Sequence, residues 1–509
     1  MATMSIDAPG DRSGPRMMRL YLTSGLGLAG VLMLAGLSMR MVQAGWLHLG
    51  TLDFYSLLTL HGAGMITALL LCGMGGIWYL VRREVDMSLA VGLWAFGTAL
   101  TGIVLVAVAA GIGKFAAAWT FLYPLPFVNP TWPQWSTGAF LIGLTLVVVG
   151  WAVWCIQLLE AVLRGYGGFR GILGIDMVFR PKAFAAAGRK PAPPQMLPAF
   201  VIAFDGLIAA TAASLLGVAL IVHWLDPSVR LDPLWAKNLT YFFGHDLANF
   251  IIYMLIAQVY VGLPLYTRRP WPNTTVLTIG WWGTLLFLLL AFPHHLYMDF
   301  AQPVWIQYVG TAASYLSALP VAVVTVFGGV LLVWGSGMRW ALGSTFMFAG
   351  LAGWIVGGIG ALLDATIHFN TVLHNTLWVP AHFHTYLLGG SFLFAIGWAF
   401  AMVEGRSPRT SSAATRWVVA GSVLVGIALL LASFYVAGAA GVPRRYDVEP
   451  DPGAFWAGVG SVGAIVLILG LLVGLVEGVR IWRGLKQPRT VGDWPWAPEG
   501  AAQPQGVVK

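Results

Sequence analysis

The sequence predicts an all-α, polytopic membrane protein with about twelve transmembrane helices in one continuous bundle. Of its 509 residues, 58% are hydrophobic and only 9% charged, and the mean hydropathy is +0.78. A water-soluble chain of this length does not have that composition. Its apolar runs repeatedly exceed the ~20 residues that a helix needs to cross a bilayer. Charge, proline and glycine clusters interrupt the runs at intervals suited to short connections.

Taken in order, the first span, 20–44, follows the polar segment Met1–Arg19 and is too long for a signal-peptide core, so an uncleaved first helix is expected. The second, 54–81, carries His61 and Cys72; the third covers 88–113; the fourth, 137–163, holds Cys155. Residues 164–197, with Arg180-Pro181-Lys182 and Lys190-Pro191-Ala192-Pro193-Pro194, make the only connection long and polar enough to be a substantial inner loop. The fifth span is 198–224, and the sixth, 240–266, opens on His245. The seventh, 275–298, closes on His294-His295, and the eighth, 310–334, contains Pro320. After the ninth, 341–368, the tenth, 380–404, begins with His382 and His384; the eleventh and twelfth are 415–437 and 455–480. Residues 1–484 thus read as one transmembrane domain and 485–509 as a flexible cytoplasmic tail, with no internal repeat.

Lysine and arginine are retained on the cytoplasmic side of a membrane. With both termini inside, the inner segments hold 22 of the 28, and the outer ones only Arg40, Lys114, Arg230, Lys237, Arg444 and Arg445. The net charge of +8 therefore reflects topology, and the partner it implies is membrane lipid, not nucleic acid. Cys72 and Cys155 lie within spans as small apolar residues, so no disulfide is implied. The chain has neither a Cys-x-x-Cys-His haem attachment sequence nor a paired-cysteine copper site, so an electron-entry module of either type must belong to another subunit.

Six of the ten histidines, His61, His245, His294, His295, His382 and His384, fall inside spans, where an unpaired imidazole is costly. At 1.5 Å per residue all six lie within roughly 12 Å of the outer boundary. A lone intramembrane histidine is more often a packing or relay residue, but four helices aiming imidazoles at one layer point to buried metal. Each helical residue turns the side chain by about 100°, so His382 and His384 project to nearly opposite faces and suit two flanking prosthetic groups. The adjacent His294-His295 can lean toward a single ion with a third histidine, and three imidazoles suit copper or iron with an open coordination position. His61 is left to complete a bis-histidine haem. His48 and His223, at span ends, read as interfacial, and His368 is unassigned.

These residues resemble the catalytic subunit of the haem-copper oxidase superfamily, which includes oxygen reductases and nitric oxide reductases. The likeness spans nearly the whole chain and is carried by His61-Gly62-Ala63-Gly64-Met65, Gly244-His245, His294-His295-Leu296-Tyr297 and Val379-Pro380-Ala381-His382-Phe383-His384. It implies that His61 and His384 ligate a low-spin haem, His382 the iron of a high-spin haem, and His245, His294 and His295 the adjacent non-haem metal. Copper is favoured there, with iron the alternative, and the haems are expected to be of b type. Arg444-Arg445-Tyr446 matches the family's propionate-binding arginine pair, whose forked guanidiniums suit carboxylates. His374 matches a propionate-contacting histidine of the B-type oxygen reductases, the closest subgroup, and Asn370 stands where those enzymes have an acid.

Two departures bear on function. Oxygen reductases of the A and B types place a cross-linked tyrosine one turn beyond the sixth-span histidine, whereas this chain reads His245-Asp246-Leu247-Ala248-Asn249. Asparagine can form no such cross-link and donates no phenolic hydrogen atom, but it can hydrogen-bond a small ligand. After Pro320, the sequence Val321-Ala322-Val323-Val324-Thr325-Val326-Phe327 lacks the hydroxyl line of the B-type proton channel, so the inner half of that route is expected to be dry; Tyr260 and Gln258 persist on the sixth span. Together these favour a nitric oxide reductase subunit in a prokaryotic plasma membrane, with its metals toward the outer side. Expected partners are a second subunit carrying CuA or a c-type haem and a cytochrome c or cupredoxin donor. Oxygen reduction with a recruited phenol, Tyr297 being nearest in sequence, is the alternative, followed by a haem-binding transporter or gas sensor without turnover.

Overall fold

The computed structural model describes residues 13–128, 131–272, 275–405 and 409–484, which leaves the expected tail at 485–509 outside the described residues. Among them twelve helices are long and apolar enough to cross a membrane: Ser13–Gln43, Thr51–Arg82, Leu89–Gly111, Gln134–Gly165, Met196–Leu225, Pro233–Thr267, Thr275–Leu296, Trp305–Val333, Leu342–Ala365, Trp378–Glu404, Ala413–Ala439 and Gly453–Trp482. No strand forms among the described residues. Each helix coincides with an expected span. The largest differences are at the starts of the first and sixth, at residues 13 and 233 instead of 20 and 240. In the sixth, Asp232 caps the helix by accepting from the Trp235 amide at 2.8 Å and Pro233 occupies the first turn. Polar Lys237 and Asn238 are therefore helical without being apolar. The 164–197 connection is a loop bearing three short helices, Phe169–Ile172, Ile175–Phe179 and Pro181–Ala186.

Consecutive helices pack as neighbours, the first also lies against the twelfth, and the second against the sixth. Burial divides them sharply. The most apolar stretches of the second, sixth and tenth are 89%, 83% and 78% buried, against 33–50% for the other nine. A helix that is apolar all round belongs in the interior, and these three carry His61, His245, His382 and His384. Glycine permits the closest approaches: a Cβ on Gly102 would run into the backbone of Gly143 in the fourth helix, and one on Gly426 into Gly463 and Leu467 in the twelfth.

Two helices change character at their histidines. The seventh is α-helical only over Thr275–Phe287 and continues as 3-10 turns at Leu288–Leu290 and Phe292–Leu296. Pro293 lies in that last segment, where its ring cannot donate a backbone hydrogen bond. The tenth is α-helical over Trp378–His384, π-helical over Thr385–Phe392 and α-helical again over Leu393–Glu404. Such π segments are frequent at functional sites.

At the opposite end of the bundle, Glu404 accepts hydrogen bonds from Tyr266 Oη at 2.6 Å and from the Leu342 and Gly343 amides at 3.0 and 3.2 Å. A carboxylate of the tenth helix thereby caps the N-terminus of the ninth and ties it to the sixth. Glu404→Ala is expected to cost on the order of 2–4 kcal/mol, because it strands two amides and a phenol in a buried site. Glu404→Gln should lose less, since its amide oxygen still accepts. Apparent melting midpoints of the purified variants check this order.

Candidate metal centre

One internal cavity brings together His61, His245, Asn249, His294, His295, His374, His382, His384, Arg444 and Arg445, the whole set singled out from sequence. Its volume is about 350 Å³, within the ~300–1,000 Å³ of a ligand site. His48 and His368 are exposed, and His223 is buried elsewhere, its Nδ1 2.6 Å from the Val229 carbonyl.

His61 and His384 face each other across the second and tenth helices with ring centroids 6.2 Å apart and planes within 16°. The Nδ1 of His61 donates to the Leu32 carbonyl at 2.9 Å and that of His384 to the Pro380 carbonyl at 2.7 Å, leaving Nε2 of each ring uncommitted. Two metal–imidazole bonds of ~2.0 Å plus ~1.1 Å from each nitrogen to its ring centre sum to roughly 6.2 Å, so the pair could hold one metal between them. Gly36 makes room for the pair, since a Cβ there would stand 2.8 Å from the His61 ring.

On the other side, His245, His294 and His295 place one nitrogen each within 4.8 Å of one another. His245 Nδ1 is 3.2 Å from His295 Nε2, near the ~3.3–3.5 Å expected of two nitrogens on one ion. The Ser314 hydroxyl donates to the Gly310 carbonyl at 2.6 Å and so can only accept from His294 Nδ1 at 3.1 Å, which turns Nε2 of His294 toward the cluster. The 3-10 backbone sets the phase of His294 and His295, replacing the 100° step of a regular helix; their centroids lie 4.1 Å apart.

Asn249 departs from expectation in orientation. Its Nδ2 donates to the His245 carbonyl at 2.9 Å and approaches His245 Nε2 at 3.2 Å, so the amide nitrogen is engaged by its own helix. The carbonyl oxygen is the group left for a cavity ligand, as an acceptor. His382 projects away from His384, and its Nε2 is 3.9 Å from Asp364 Oδ2. Gly360 lies against it, where a Cβ would stand 2.7 Å from Nδ1.

The outer wall is fixed by backbone pairing. Thr376 bridges Pro443, Leu377 donates to Val442 at 2.9 Å and Arg444 to Asn375 at 3.0 Å, which sets His374 beside the arginines. Burial, then the neighbouring Arg445, brings the Arg444 guanidinium down to about 10, still charged at neutral pH. Burial and the Arg444 charge lower His374 to about 4, so it is neutral there. Arg40, counted above with the outer cations, is buried in an ion pair with Glu449 at 3.0 Å and lines the cavity. Burial lifts Glu449 to about 7 against the pull of that arginine.

Sequence reading missed Asp364, Tyr241 and Tyr386. Asp364 is the one acid in the expected ninth span, and an intramembrane carboxyl is itself a signal. Tyr241 stacks on His295 at 5.6 Å and Tyr386 lies 5.3 Å from His382; both line the cavity. Tyr297, the expected spare phenol, instead bonds Thr311 at 2.9 Å and does not line it. On the inner part of the eighth helix Thr325 meets Tyr260 of the sixth at 2.6 Å, hydroxyl to hydroxyl. Gln258 bonds the Cys72 and Gly73 carbonyls at 3.4 Å as an interhelical brace, and both cysteines are free and buried.

The family described as Cytochrome C and Quinol oxidase polypeptide I matches residues 16–472. The chain belongs to this family, the catalytic subunit I of the haem-copper oxidases. It is 27% identical over 450 residues to cytochrome c oxidase subunit 1 of Thermus thermophilus, covering 83% of this chain and 74% of the relative. Identity to cytochrome c oxidase subunit 1 of Synechocystis is 24% over 459 residues, 85% and 78% of the two chains. A solved heme-copper terminal oxidase dimer shares the fold, with a TM-score of 0.75, 19% identity, and coverage of 93% of this chain and 84% of that one. The family binds haems and a copper centre and catalyses oxidoreduction, and the histidine cluster suits that chemistry.

Proposed function

We propose that this chain is the catalytic subunit of a membrane nitric oxide reductase, catalysing 2 NO + 2 e⁻ + 2 H⁺ → N₂O + H₂O. The observation that carries the reading is Asn249, a carboxamide bonded back to His245 at the position where family oxygen reductases have their phenol. The metals that these histidines would hold would supply electrons and binding positions for NO, and that reaction calls for no phenolic hydrogen atom. In this reading His61 and His384 hold the low-spin haem and His382 the high-spin haem. His245, His294 and His295 hold the non-haem ion, while Arg444, Arg445 and neutral His374 receive the propionates. The non-haem cluster is three imidazoles with no carboxylate, which favours copper over iron. Asn249 Oδ1 accepts from a protonated ligand or water in the cavity, and Ser314 holds His294 in its ligating orientation. A second subunit with CuA or c-type haem, fed by a cytochrome c or cupredoxin, supplies electrons at the outer side of a prokaryotic plasma membrane.

Oxygen reduction is the second reading. It is favoured by the relatives' names and by the two phenols, Tyr241 and Tyr386, that line the cavity. Replacing Asn249 with leucine is expected to lower NO turnover at least tenfold, about 1.4 kcal/mol in the barrier, at unchanged haem and metal content. Anaerobic NO and aerobic O₂ turnover of wild type and variant, with one chemical reductant, make the comparison. A variant that reduces NO at the wild-type rate removes the role of Asn249. Wild-type enzyme far faster with O₂ than with NO removes the nitric oxide reductase reading itself.

A further inference from the structure

Beneath the 164–197 connection, on the face that carries most of the lysines and arginines, lies a second cavity of about 260 Å³. Its lining is mixed: Leu197, Leu277, Thr278 and Trp281 of the fifth and seventh helices form its buried side, and the exposed Arg189 and Lys190 line its other side. The loop above it is pre-built. Asp176 accepts from Arg170 at 2.6 Å and Arg189 at 2.7 Å, and these two guanidiniums hold its carboxyl down to about 2. Trp282 Nε1 donates to the Leu173 carbonyl at 3.1 Å, and Phe179 stacks on the same indole at 5.8 Å.

Asp176 is the single acid among residues 164–197, against six basic residues, so the loop presents net positive charge. Arg189 is shared with Asp176, whereas Lys190 is paired with no carboxylate among the described residues. Positive-inside bias alone accounts for cations on this face, but not for the placement of two of them against one hollow. Phe169 and Phe179 are 50% and 69% exposed in the same loop, as side chains inserted at a membrane–water boundary are. The cavity is smaller than the ~300–1,000 Å³ of a drug-sized ligand site, large enough for a headgroup and not for a whole lipid.

We propose that this cavity is a binding site for an anionic phospholipid, with Lys190 and Arg189 taking the phosphodiester and the acyl chains left in the bilayer beside Phe169 and Phe179. The lining residue Trp281 lies 5.3 Å from Tyr253 and 6.3 Å from Tyr260. An occupied site therefore touches a seventh-helix residue that packs on the sixth helix, which carries His245.

The test is native mass spectrometry of the detergent-purified complex incubated with phosphatidylglycerol or phosphatidylcholine, on variants first shown to keep the wild-type size-exclusion profile. Wild type is expected to bind phosphatidylglycerol at least tenfold more tightly than phosphatidylcholine. Lys190→Arg should keep that preference, Lys190→Glu should lose it, and Lys182→Glu, exposed and outside the cavity, should leave it unchanged. The proposal is overturned if Lys190→Glu retains the preference, or if Lys182→Glu weakens it equally, which marks diffuse surface charge. Displacement of the lipid by millimolar inorganic phosphate also overturns it, since the site then recognises free anion.

Discussion

Alanine at any one of His245, His294 or His295 is expected to empty the non-haem metal position and reduce turnover with NO or O₂ by at least 10³-fold, while both haems stay bound. The three side chains share one small volume, with ligating nitrogens within 4.8 Å, and reach it from two different helices. Two remaining imidazoles cannot complete the three-nitrogen set that the geometry offers. Elemental analysis beside visible spectra of purified variants separates metal loss from haem loss. Full non-haem metal content in His245→Ala sinks the assignment of that ion to the three histidines. Ser314→Ala supplies the graded control: it removes the acceptor for His294 Nδ1 without removing a ligand, and a partial loss of metal, on the order of 10-fold in affinity, is expected.

His384→Ala and His382→Ala, two residues apart, are expected to damage different haems. His384 faces His61 at 6.2 Å, whereas His382 turns toward Asp364 and Tyr386 on the opposite side of the tenth helix. Loss of His384 should abolish the low-spin optical signature and, with it, electron delivery to the cavity. Loss of His382 should spare that signature and eliminate ligand binding at the high-spin site. Difference spectra of reduced minus oxidised enzyme, with and without carbon monoxide, read the two outcomes independently. If both variants lose the same signature, the two-sided arrangement is wrong.

How much of this was legible beforehand follows from the range of each interaction. Twelve spans and the grouping of the metal-site histidines are consequences of composition and of spacing along single helices, because a bilayer demands continuous apolar backbone and a helix repeats every 3.6 residues. Boundaries were less legible. Caps such as Asp232 and polar first turns extend a helix beyond its hydrophobic stretch, so helix and span diverge at the starts of the first and sixth.

Side-chain aim depended on partners distant in the chain. His294 and His295 take their directions from a 3-10 segment imposed at Pro293, and His294 is oriented by Ser314, a residue of another helix. Asn249 was recognised as the decisive substitution from its spacing to His245, yet only folding showed that its amide nitrogen is held by that histidine and that its oxygen remains free. Tyr297 is turned away for the same reason. Proximity in sequence to His295 favoured it, whereas helix packing ties it to Thr311 of the eighth helix; Tyr386, one turn beyond His382 on the same helix, meets that imidazole by a spacing the sequence itself carries. Hydropathy and periodicity are summed along one helix and so survive in a linear string. Which hydroxyl or carboxyl of another helix faces a given imidazole is set by how the helices pack side by side, and no short-range pattern records it.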